Sequence, residues 1–107
     1  MSDSKNPKDL TDLELRKQLE ADLGLAPWAE IAPHQAREAV ILVSPALEIL
    51  EVGMRLARDD SAKVEAWIAH GLLGKPSAGQ LESWGAAPSA KFLILVVQPW
   101  VLLQIPN

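Results

Sequence analysis

An α+β fold is predicted by three observations. Every position from Phe92 to Val97 is apolar, as in a strand covered on both faces or completed by another subunit. Ala39-Val40-Ile41-Leu42-Val43 is a second short apolar run rich in β-branched residues. Val64, Trp67, Ile68, Gly71 and Leu72 fall at i, i+3, i+4, i+7 and i+8, the spacing of an amphipathic helix.

The elements follow in chain order. Residues 1–9 are polar and are expected to form a mobile tail, with 10–107 a single domain. Thr11-Asp12-Leu13-Glu14 has the form of a capping box, with Leu10 and Leu15 placed to staple it. Leu15, Leu19 and Leu23 then step along one helix face, so a helix is expected over 11–23, stopped by Gly24. Pro27 suits the first turn of a short helix that Pro33 would end. A strand is expected over 39–44, followed by a turn at Ser44-Pro45-Ala46.

Segment 47–57 reads two ways. Its residues are good helix formers, but its apolar positions would point all round a helix axis. Leu50, Val52, Met54 and Leu56 alternate with Glu51, Gly53 and Arg55, which favours a strand in a hairpin with 39–44. Asp59-Asp60-Ser61 marks the start of a helix over 61–71. Ser77-Ala78-Gly79-Gln80 is a second capping box, opening a helix over 77–85. The last segment, 91–105, is strand, with a kink or bulge expected at Pro99 because proline cannot donate to a ladder. The sheet of 39–44, 47–57 and 91–105 is expected to be small and mostly antiparallel.

Composition narrows the function classes. The chain has 107 residues and a formal charge of −4, and its basic residues are scattered, which argues against nucleic acid. With no cysteine, disulfides, Cys-based zinc sites and thiol catalysis are excluded. No signal peptide is expected at the N-terminus, and the final apolar run is broken by Gln98, Pro99 and Gln104 before it could span a membrane. A cytoplasmic protein is the expectation. No cofactor or metal pattern is met: Gly71-Leu72-Leu73-Gly74-Lys75-Pro76-Ser77 lacks phosphate-loop spacing, and no His-Glu-x-x-His or Gly-x-Ser-x-Gly is present.

A set of fragments carries a resemblance. Trp28, Pro33-His34-Gln35-Ala36-Arg37, Val43-Ser44-Pro45, Ala57-Arg58-Asp59-Asp60, Trp67-Ile68, Lys75-Pro76-Ser77, Trp84 and Val97-Gln98-Pro99-Trp100-Val101-Leu102 occur in that order. Together they resemble a family of small bacterial proteins known only as a domain of unknown function, over about residues 11–105. Ser44 departs from the acidic residue expected before the proline. The resemblance implies a bacterial, cytoplasmic protein and no particular mechanism.

Few residues point to chemistry. His34 and Arg37 could bind a small anion or act as base and electrophile; the plainer reading is a helix end with Arg37 on a carboxylate. Asp59 and Asp60 could ligate a metal, but they sit where a helix wants its cap. His70 suits a helix C-terminus. Trp67 and Trp84 fall on inward stripes. Trp100, beyond the break at Pro99, is a candidate for a ligand or a second subunit, and Trp100 and Leu102 are the interface candidates. The leading expectation is a non-enzymatic interaction module that self-associates, because a chain this short has limited material to cover a doubly apolar strand. The alternative is a ligand-binding sensor or enzyme with His34 and Arg37 at a Trp-lined pocket.

Overall fold

The computed structural model describes residues 10–106; the expected tail at 1–9 lies outside them. The doubly apolar run becomes β4 (Lys91–Val97), and β5 (Trp100–Gln104) returns beside it. β1 (Gly24–Pro27) lies on the other side of β4, β2 (Val40–Val43) runs parallel to β5, and β3 (Leu73–Gly74) closes the far edge. The order is β1-β4-β5-β2-β3. Only the β2–β5 pairing is parallel, so this α+β fold has a mostly antiparallel sheet.

Period-2 alternation along β4 divides its side chains between two cores. Phe92, Ile94 and Val96 meet Trp28, Ile31 and Trp84 on one face. Leu93, Leu95 and Val97 meet Leu15, Leu19, Val52 and Trp67 on the other. The first layer comes from α2 (Trp28–Ala36) and α5 (Ala78–Gly85); the second comes from α1 (Asp12–Asp22), α3 (Ile49–Ala57) and α4 (Ser61–Ala69). Both faces of the strand are therefore covered by the chain's own helices. No helix among the described residues is long and apolar enough to cross a membrane.

Both capping boxes form. Glu14 N donates to Thr11 Oγ1 while Thr11 N donates to Glu14 Oε1, and Ser77 and Gln80 do the same for α5. Asp60 is the cap of α4, its Oδ1 accepting from Lys63 N at 3.2 Å. These contacts satisfy amides that a helix's first turn leaves unpaired.

Three expectations are corrected. Segment 47–57 is not a strand: residues 49–57 form α3, and the hairpin with 39–44 does not exist. The all-round apolar character was the right signal. Wedged between α1, α4 and the sheet, α3 buries Ile49, Leu50, Val52, Gly53 and Met54, more than a single stripe. Second, Pro99 does not kink one long strand. Gln98 and Pro99, joined by a cis peptide, form the tip of an antiparallel hairpin with Val97 opposite Trp100. Third, Pro33 does not end α2, which runs on to Ala36. Pro33 and Ala29 are both exposed, so the hydrogen bond that proline removes is lost on the solvent side, where water can replace it. The start of α2 has no side-chain cap. Its first amides are satisfied by loop carbonyls instead, Trp28 N donating to Ala90 O and Ala29 N to Pro88 O.

Candidate functional site

The end of α3, the outer face of α4 and the β4–β5 tip enclose an open groove of about 680 Å³. Ser61, Val64, Glu65 and Ile68 line one wall; at i, i+3, i+4 and i+7 they form a single stripe of α4. Arg55, Leu56, Asp59 and Asp60 come from the end of α3 and the turn after it, and Gln98, Pro99 and Trp100 from the hairpin. Ile41, Leu73 and Lys75 complete the sheet side, with Glu38 at its end.

Apolar surface lies open here. Ile68 is 55% exposed and Trp100 38%. The charges around them are mostly paired. Arg55 Nε donates to Glu51 Oε1 at 3.0 Å, and its Nη1 reaches Asp60 Oδ2 at 3.4 Å. The hydrogen bond to Glu51 is the main cause that raises the Arg55 pKa above its ordinary value. Lys75 Nζ meets Glu38 Oε1 at 3.2 Å. The lining residues include no histidine and a single hydroxyl, that of Ser61, whose Oγ donates to Asp59 O at 3.4 Å. The groove thus presents apolar surface among charged side chains, and among the described residues its lining does not set a nucleophile beside a base. Among the described residues no three His, Asp or Glu side chains gather where they could hold a metal ion.

The residues singled out from sequence are dispersed. Trp100 lines the groove, whereas His34 and Arg37 do not. Those two meet each other at the exposed end of α2, where the Arg37 guanidinium donates to His34 Nδ1. An arginine has no acceptor to offer, so His34 Nδ1 is the accepting partner in this contact. Arg37 has no carboxylate partner among the described residues. Leu102 is fully buried between β4 and β2, so it has no surface for a second subunit, and its place as an interface candidate is corrected. Of the four tryptophans only Trp100 lines the groove. Trp28, Trp84 and Phe92 pack in tilted and edge-on pairs on the opposite face, ring centres 4.9–6.4 Å apart. Trp67 is buried with Lys63 Nζ 5.4 Å from its ring centre.

Ser44 shapes a turn near a second, smaller pocket of about 490 Å³. Its Oγ accepts from Ala46 N, and Gln104 Nε2 donates to the carbonyls of Ser44 and Leu47. Sequence reasoning missed the part played by Ile68 and Glu65. No local signal set Ile68 apart, because the i, i+3, i+4 spacing puts Trp67 and Ile68 on one apolar stripe.

Fold and groove together define a small α+β domain with an open, partly apolar groove beside two closed cores. The chain belongs to the family described as Protein of unknown function (DUF2288), whose model matches residues 14–105. It is similar to the NMR solution structure of PA1075 from Pseudomonas aeruginosa, with 31% identity and a TM-score of 0.73, over 97% of this chain and 94% of that one. No curated protein matches.

Proposed function

We propose that the chain is a non-enzymatic interaction module that pairs with a second copy of itself through the Trp100–Ile68 groove. The observation that carries this reading is the placement of exposed apolar side chains. Leu13, Leu25, Ile68, Trp100 and Ile105 are the large hydrophobics left exposed among the described residues, and two of them share one concave surface. Apolar groups gathered this way, with a tryptophan among them, mark contact surfaces more often than isolated ones do. The strand that first suggested pairing is not the contact. The groove takes that role.

Sedimentation velocity between about 1 and 100 µM tests the proposal, a range that brackets the affinities of modest interfaces. A concentration-dependent dimer is expected, with Trp100→Ala weakening it about tenfold or more. A chain that stays monomeric throughout, or a dimer indifferent to Trp100→Ala, defeats the reading.

A second reading rests on Arg37, a cation that has no carboxylate partner among the described residues and is set beside His34. This pair binds a small anion. Phosphate should then raise the melting temperature by mass action, and Arg37→Ala should abolish the rise; an equal rise in both proteins removes the pair from consideration.

A further inference from the structure

We infer that the second copy fills the groove with the outer stripe of its α1, Leu13 and Lys17, and that Lys17 pairs there with Glu65. This inference rests on the self-pairing proposed above and names the surfaces that meet.

Charge decides against groove facing groove. Four carboxylates and two cations line each groove; the cations answer Asp60 and Glu38, and Glu65 has no ion-pair partner among the described residues. Two such surfaces brought together across a symmetry axis would repel. The occupant must therefore bring an apolar side chain and a positive charge.

The chain carries such a surface. Among the described residues Leu13 is the most exposed large hydrophobic, at 63%. Arg16 and Lys17 follow one turn later on the same helix face. Ile105 has no cation close in sequence, and Leu25, with Lys91 two positions from its partner Leu93, lies on β1 at the sheet edge opposite β3 and the groove. Arg16 is held by Glu20 and Glu48, which leaves Lys17 as the charge available to a partner. On the receiving side Glu65 lies exposed on the α4 stripe. Neither Lys17 nor Glu65 has an ion-pair partner among the described residues.

Dimensions and placement agree. The stripe from Ser61 to Ile68 spans about 10 Å and the step from Leu13 to Lys17 about 6 Å, at the rise of an α-helix. α1 and α4 cover the same face of the sheet, on either side of α3. A two-fold axis can then set each α1 at the other copy's groove, closing the pair without leaving a free surface for further addition.

Charge reversal tests the contact. Lys17→Glu and Glu65→Lys should each weaken dimerisation about tenfold or more, and the double variant should restore it to within about threefold. Leu13→Ala should weaken it as well, and added salt should loosen the wild-type dimer. These residues are exposed, so folding measured by circular dichroism should be unchanged. A wild-type monomer would overturn the pairing itself. A dimer untouched by the single variants, not restored by the double one, or tightened by salt overturns this contact alone.

Discussion

Gly53 shows how one side chain's absence sets an element's position. It lies in the middle of α3, where helix propensity alone would favour alanine by about 1 kcal/mol. A Cβ added there would stand 2.6 Å from Leu95 Cδ2, 3.4 Å from Leu19 Cδ1 and 3.5 Å from Val97 Cγ2. Leu95 is fully buried in the sheet, so its methyl can yield only by shifting against packed neighbours. Overpacking of this kind costs about 1–3 kcal/mol, so crowding outweighs propensity. Gly53→Ala is expected to lower stability by about 1 kcal/mol, read as a lower urea midpoint at unchanged slope; a raised midpoint would show that α3 has room to lift. In the linear sequence Gly53 sits in an alternating pattern and looks like a strand's outer face. Its contact with β4 is invisible there, because the partners lie about forty positions away.

α1 and α3 are joined by an ion pair as well as by packing. Arg16 Nη1 and Nη2 reach Glu48 Oε1 and Oε2 at 3.0 and 2.6 Å, a two-pronged contact at the start of α3. The hydrogen bond from Arg16 holds the Glu48 carboxyl below its ordinary pKa, against the opposing effect of desolvation. A lowered folded-state pKa stabilises the fold above the unfolded value, about 4.3 for Glu. That contribution is lost as pH falls through the lowered value. The pair is solvent-exposed, so its worth is small. Arg16→Ala should move the urea midpoint at pH 7 by roughly a few tenths molar, and the difference should fade on acidification below about pH 4. A gap that persists in acid would assign the loss to the arginine's packing instead. Neither partner stood out in the sequence. Thirty-two positions separate them, unlike the two capping boxes, whose partners lie three residues apart and could be read directly.

For the whole molecule, the sheet between two helical layers explains why Leu102 belongs to folding. It packs with Leu95 and Val52, each fully buried. Leu102→Ala should cost about 2–5 kcal/mol of unfolding free energy, a large part of what a domain this size has. A loss well below about 1 kcal/mol would mean that the core relaxes around the gap. The groove was only partly legible. Trp100 stood out because it follows the Pro99 break, whereas Ile68, Leu56 and Glu65 gained their shared surface when α4 settled beside the hairpin tip. Patterns that act within a few residues were settled by the sequence alone: capping boxes at Thr11 and Ser77, the helix after Asp60, and the two-faced burial of Phe92 to Val97. Whether 47–57 coiled or extended, which strands paired, and which apolar side chains stayed open were decided by tertiary packing. A local pattern records which residues avoid water, but what covers them depends on neighbours brought together from distant parts of the chain.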